Sequence, residues 1–243
     1  MPRKKPFKYK LEDLINPEYN EDLYNEVSAE IEIELKKQIG SWSAHINEDN
    51  IAVIGYSKSD YPDAAFAHEL LHIKAELKGL KDPFVRSSEP DIDWALLRFL
   101  INQLAHHRIY PEFYDLGFSE DEFLNDNDFN ETRIRLKTDI AMIEDIHQKL
   151  KEPLDGLVIL MPYLVCISPN EINQDILDYK ERIIKISKSS FIKEIDNIII
   201  EWQQSGRMDY CLTLAKLFKA CNRLKISFAP IMDTENEISA GSI

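Results

Sequence analysis

The segment from Ala64 to Lys78 constrains this chain most, because it contains no proline or glycine and most of its residues are small or apolar. This composition predicts a buried helix. The segment also carries the pattern His68-Glu69-Leu70-Leu71-His72, which places two histidines and a glutamate among apolar residues. Burying such side chains is costly unless they find partners, and a bound metal ion would supply one. The segment therefore predicts a core helix that also forms part of a metal site.

The spacing of the two histidines suits a single metal ion. Residues four apart on an α-helix lie about 40° apart around the axis and about 6 Å apart along it. Both imidazoles can therefore approach one zinc ion at the required distance of about 2.0–2.1 Å. Glu69 can reach a water held by the same cation, where a general base must lie. The pattern can arise by chance, but its uncharged neighbours favour a zinc hydrolase, most simply a peptidase.

Charge and hydropathy exclude two classes of partner. The chain has 243 residues and a net charge of −14, which would repel a nucleic-acid backbone. The most apolar stretch, from Leu154 to Ile167, contains Asp155 and Pro162 and is too short to span a membrane. We therefore expect a protein or peptide substrate, with no nucleic acid and no membrane as partner.

The cysteines and the amino terminus predict a cytoplasmic protein. Cys166, Cys211 and Cys221 are odd in number and widely spaced, which is typical of reduced thiols and not of a disulfide framework or a zinc ribbon. The basic residues 2–10 predict a flexible arm. No apolar run follows them, so they do not resemble a secretory signal.

The first half of the chain mixes helix and strand signals. Residues 16–40 predict a first helix capped by Asn16, although Ile31, Ile33 and Leu35 alternate as in a strand. Residues 41–56 predict a hairpin, and the histidine helix follows over about 62–78. Residues 81–88 predict a loop, which leads into a helix over about 89–109 closed by Pro111. A capping box at Ser119–Glu122 predicts the start of a short helix.

The second half of the chain predicts helices alone, over about 131–150, 154–167, 171–203 and 207–224, with a frayed tail after Ala229. The polar residues 125–130 are the expected junction. The fold class is therefore predicted as α+β and predominantly helical. A metal-binding domain with a small sheet occupies residues 1–125, and a helical extension or domain occupies residues 126–243.

A third metal ligand must come from outside the HExxH pattern, because catalytic zinc keeps three protein ligands and one open position. The segment from Asn102 to Phe113 is dense in ligand-type residues. His106 is the first candidate, since Asn102 lies one turn before it and could orient its ring. His107 and Glu112 are the alternatives. Adjacent histidines lie about 100° apart on a helix, so both cannot face one ion in the same way.

The histidine helix, preceded by a short strand, resembles the zincin metallopeptidases. The long gap to a ligand on a second helix is similar to their compact intracellular branch, the ImmA/IrrE-type proteins. The resemblance covers about residues 50–118, and only HExxH is specific to it. It implies a zincin-like domain, a Zn²⁺ cofactor and peptidase activity. It also implies an acid as third ligand on the following helix, where this chain has Ala105-His106-His107.

The implied mechanism assigns Glu69 as the base that activates a zinc-bound water and returns the proton to the leaving amine. Tyr110, or whichever of His106 and His107 does not bind metal, could stabilise the oxyanion, although a tyrosine at a helix end often only packs. The strand at residues 51–56 could align an extended substrate, or it could be an ordinary core strand.

Two other functional classes remain open from the sequence. One is a catalytically inactive zincin-fold module with a binding or regulatory role. The presence of Glu69 argues against it, because a structural metal site needs no base. The other is a helical interaction protein in which the HExxH pattern is coincidental. His45 and His147 are isolated in the sequence and are interpreted as ordinary histidines.

Overall fold

The computed structural model describes residues 8–80, 84–87, 94–124, 127–167, 173–205, 209–221 and 226–229. These residues are mostly helical and include a small mixed sheet, which confirms the predicted predominantly helical α+β class. After a 3-10 turn at Leu11–Asp13, the elements are α1 Glu21–Glu30, β1 Glu32–Lys37, β2 Ser43–Ile46, β3 Ile51–Tyr56, α2 Pro62–Leu77, β4 Phe84–Ser87, α3 Trp94–Asp115, α4 Glu120–Leu124, α5 Asn127–Leu150, α6 Leu157–Ile167, α7 Gln174–Ile186, α8 Ser189–Gln204, α9 Cys211–Ala220 and β5 Ile226–Ala229.

The three-stranded sheet has the order β1-β3-β2. β2 pairs antiparallel with β3, which confirms the predicted hairpin. Its turn is held by Asn47, whose side-chain oxygen accepts hydrogen bonds from the backbone of Asp49 and Ile51 at 3.1 and 2.9 Å. β1 pairs with the other edge of β3 in parallel. β3 is therefore the central strand, and five of its six residues are buried.

The predicted first helix over residues 16–40 is wrong in its second half. The helix α1 ends at Glu30, and the chain continues as β1. The alternation in the sequence explains the switch: Ile33 and Leu35 pack partly buried against the core, whereas Glu32 and Glu34 are exposed. A period of two suits a half-buried strand and cannot place one face of a helix in the core.

Helix α2 forms where the sequence predicts it. It begins with Pro62, whose missing N–H is unneeded in a first turn, and Gly79 follows it with a φ of +100°. The start of the helix is fixed by the fully buried Asn20, whose side chain donates to the carbonyls of Leu14 and Asp63 at 3.0 Å. Eight of its residues are buried, so α2 is a core helix.

The predicted end of the following helix is wrong. Helix α3 does not stop before Pro111 but continues to Asp115. Proline removes one backbone donor, yet the turn after it places Phe113 in a fully buried position, and that burial outweighs the lost hydrogen bond. The chain leaves the helix at Gly117, which has a φ of +98°.

The segment 81–88, predicted as a loop, contains the strand β4, which pairs antiparallel with β5. The single helix predicted over 171–203 is two helices, α7 and α8, separated at Ser187 and Lys188. Lys188 donates its backbone N–H to Leu154 at 2.8 Å, so the break is fixed by pairing to a distant segment. The predicted tail after Ala229, and most of the predicted amino-terminal arm, lie outside the described residues.

The chain divides by its internal contacts into two units, residues 1–77 with 109–135 and residues 78–108 with 136–243. The first unit contains the sheet, α1, α2 and α4, and its core includes Phe66, Leu70 and Phe113. The second contains α6 to α9. The border falls inside the unbroken helix α3, between Arg108 and Ile109. The predicted boundary at residue 125 stays a prediction.

Among the described residues, every helix falls short of the length and apolar character needed to cross a membrane.

Candidate metal centre on helices α2 and α3

The two histidines of α2 face each other. Their Nε2 atoms lie 3.1 Å apart, and their ring centroids are 5.0 Å apart. Two nitrogen ligands of a tetrahedral zinc ion, each bonded at about 2.0–2.1 Å, are separated by about 3.3 Å. The helix therefore already holds the nitrogen atoms of His68 and His72 at nearly the spacing of two ligands on one ion.

The surroundings of His72 keep its ring neutral. Burial lowers the pKa of His72 to about 4, because a charged imidazolium is poorly solvated in the protein interior. At neutral pH the ring therefore has a lone pair on one nitrogen. Only the neutral imidazole can bind a metal ion, so burial selects the protonation state that a ligand needs.

The predicted third ligand, His106, lies on α3 one turn before Tyr110. Three imidazoles form a ligand set known for catalytic zinc, so a histidine has the chemistry that this pair would need from a third ligand. The assignment of His106 as that ligand stays a prediction.

Glu69 lies between the two histidines of α2 and is only 5% exposed. A carboxylate is rarely buried to this degree, because removing it from water is costly unless it gains favourable interactions. Its place on the buried side of α2, next to His68 in the chain, is the position that the HExxH pattern requires for a base.

The other ligand candidates have different partners. His107 accepts a hydrogen bond at Nδ1 from the side-chain amide of Gln203 at 3.1 Å, and burial lowers its pKa to about 4. Glu112 accepts a hydrogen bond from Lys74 at 2.5 Å. Neither residue belongs to a group of metal-ligating side chains found within the described residues. Each alternative thus already has a partner, and His106 is kept as the predicted third ligand.

Tyr110, the candidate oxyanion donor, donates its hydroxyl to Glu120 on α4. Burial raises the pKa of Tyr110, and the carboxylate of Glu120 raises it further, so its hydroxyl is protonated at neutral pH. Its ring also packs edge-on against Phe123 at 5.6 Å between centroids. This hydrogen bond and packing explain the position of Tyr110 without a catalytic role.

The two isolated histidines have other surroundings. His45 is exposed on β2. The Nδ1 atom of His147 donates a hydrogen bond to the backbone carbonyl of Glu152 at 2.9 Å, as in an ordinary structural histidine.

Sequence reasoning did not find the aromatic side chains that surround His68. The Phe123 ring lies 4.4 Å from the His68 ring, at an angle of 31°. Phe113 approaches edge-on at 6.3 Å. The sequence signal that could have indicated Phe123 is the capping box of α4, because it fixes the turn that presents this residue. In that box the Ser119 Oγ accepts a hydrogen bond from the Glu122 N–H, and the Glu122 carboxylate accepts one from the Ser119 N–H.

The strand predicted to receive a substrate cannot do so. β3 is paired along both edges, by β1 and β2, so its backbone groups are already used. The ordinary core strand is the correct interpretation. β2, which packs against α2, is an edge strand among the described strands.

Comparison with known proteins gave no relative from which a role could be transferred: no family model, no curated protein and no solved structure matches this chain.

Proposed function

We propose that this protein is a zinc-dependent hydrolase of peptide bonds with a zincin-like site. His68, His72 and His106 hold the ion, and Glu69 is the general base. One observation carries the proposal: the Nε2 atoms of His68 and His72 lie 3.1 Å apart, close to the spacing of two nitrogen ligands on one zinc ion. Glu69, which the HExxH pattern provides as the base, follows His68 in the chain and is buried.

The ligand set supports a catalytic ion. Three neutral imidazoles leave a fourth position of a tetrahedral ion for water. Bound zinc lowers the pKa of that water towards about 7 and polarises a substrate carbonyl. A site built only for structure more often closes the fourth position with a further protein ligand.

Glu69 performs the proton transfers in this proposal. Its carboxylate takes one proton from the attacking water as the new C–O bond forms. It then gives the proton to the amide nitrogen as the C–N bond breaks, which releases an amine and a carboxylic acid. The place of Glu69 between the two histidines of α2 supports this role, since a general base must reach the water that the ion would hold.

The substrate is a peptide or protein segment in extended conformation. β2 offers the edge nearest to α2, and an added strand pairs there through main-chain hydrogen bonds. This edge replaces β3 as the proposed substrate strand.

The test is the variant Glu69→Gln in zinc-loaded protein. Its matched control is Glu76→Gln, the same substitution two turns further along α2. We expect Glu69→Gln to lower kcat/KM on a quenched-fluorescent peptide library by about 10²–10⁴-fold, with zinc content unchanged, and the control to keep full activity. Full activity in Glu69→Gln would refute its role as the base. Zinc binding by the wild type without hydrolysis of any peptide would instead point to a non-catalytic site.

A further inference from the structure

We propose that Phe123 is a positioning residue for His68, so that docking of α4 and binding of the metal ion stabilise each other. The inference rests on the proposed metal site and deepens it. Its elements, α2, the end of α3 and α4, all belong to the first unit.

The contact between the two rings carries the argument. The Phe123 ring is tilted by 31° from the plane of the His68 imidazole, with 4.4 Å between the ring centroids. Phe123 is 4% exposed, so its ring is fixed by its own packing. The χ2 rotation of a histidine is intrinsically broad. An aromatic face against the imidazole narrows that rotation and keeps Nε2 of His68 directed towards Nε2 of His72, 3.1 Å away.

Phe123 is held in place by a second set of contacts. Phe113 meets its ring edge-on at 5.0 Å, and Tyr110 does so at 5.6 Å. Tyr110 also donates a hydrogen bond to Glu120, the first residue of α4. α4 is only five residues long, so these side-chain contacts, not the helix itself, determine where Phe123 lies.

Coupling follows from this geometry. If docked α4 favours the ligand orientation of His68, a bound ion must favour docked α4 by the same factor, because binding linkage is reciprocal. Phe123 has no ligand atom, so it acts only through His68. Its removal should therefore weaken metal binding without changing which residues bind the ion.

The experiment compares Phe123→Leu with Phe118→Leu in the full chain. Phe118 is a matched control: it is 3% exposed and stacks on Phe113 at 5.0 Å, in the same aromatic cluster. Zinc affinity is measured by competition with a chromophoric chelator, and folding of each variant by circular dichroism. Phe123→Tyr, which keeps the aromatic face, tests rescue. Phe123→Met, whose longer and more flexible side chain adapts to the site, replaces the leucine variant if that variant does not fold.

We expect Phe123→Leu to weaken zinc binding by about tenfold, within the range for residues that orient a ligand. Phe118→Leu and Phe123→Tyr should stay within about twofold of the wild type. Zinc should also slow amide hydrogen exchange in residues 120–124 of the wild type and the control, but not in Phe123→Leu. Equal affinities for folded Phe123→Leu and wild type would overturn the positioning role alone. A wild type that binds no zinc would overturn the proposed function with it.

Discussion

Burial lowers the pKa of both His72 on α2 and His107 on α3 to about 4, although by solvent exposure His107 is buried and His72 is half-buried. Their neighbours differ. His107 receives a hydrogen bond from the amide of Gln203, whereas His72 faces the nitrogen of a second imidazole, that of His68. The amide satisfies Nδ1 of His107, whereas the buried Nε2 of His107 has no hydrogen-bond partner among the described residues. Two neutral imidazoles can share one hydrogen bond, or both can bind a cation. A depressed pKa therefore does not identify a ligand, but the identity of the facing atom does.

The contrast between a ligand histidine and a structural histidine is tested most strongly on α3, where His106 and His107 are adjacent and can be replaced one at a time. We expect His106→Ala to weaken zinc binding by more than about 100-fold, the upper limit for residues that only orient ligands. His107→Ala should keep the wild-type affinity, because its ring faces Gln203. Chelator competition measures both. A loss confined to His107→Ala would exchange the assigned roles of the two residues.

The variant His107→Ala also separates an effect on stability from an effect on metal binding. His107→Ala should lower the free energy of unfolding by about 2–4 kcal/mol, since it leaves a cavity and removes the acceptor of the Gln203 amide. Urea unfolding of the metal-free protein measures this change. The control is His45→Ala on the exposed face of β2, which should change stability by less than about 0.5 kcal/mol. Similar values for both variants would contradict the structural role of His107.

The third prediction concerns the pH dependence of stability. A histidine with an ordinary pKa of 6.5 takes up a proton in the unfolded chain below that pH, but His72 and His107 resist protonation down to about 4 in the folded protein. The metal-free protein should therefore lose stability as the pH falls from 6.5 to 4. The slope is at most about 1.4 kcal/mol per pH unit for each histidine.

Urea unfolding at several pH values, with a chelator present, measures this slope. His107→Ala should reduce it by about the contribution of one histidine, whereas His45→Ala should leave it unchanged. A stability that stays flat between pH 6.5 and 4 would contradict the burial of both rings.

Local signals predicted much of the first unit. The histidine helix follows from Pro62, Gly79 and the apolar residues between them. The hairpin follows from two short apolar runs around Asn47. The capping box follows from Ser119 and Glu122. Each of these signals is contained within a few residues, and each places its element correctly.

The errors arose where distant contacts outweigh local preference. β1 forms because it pairs with β3; the alternation of Ile31, Ile33 and Leu35 indicates a strand but cannot show its partner. α3 passes Pro111 because Phe113 is buried two residues later. A sequence alone also cannot show which of His106 and His107 is packed against Gln203, since both lie on one helix and the answer depends on the other elements around it. Phe123 was missed for the same reason.

The most direct test of the metal centre is anomalous diffraction at the zinc edge from crystals of the zinc-loaded protein. The account predicts one strong anomalous peak at about 2.0–2.1 Å from a ring nitrogen of each of His68, His72 and His106. A peak ligated by other residues, or no peak among these three rings in zinc-replete crystals, would contradict it.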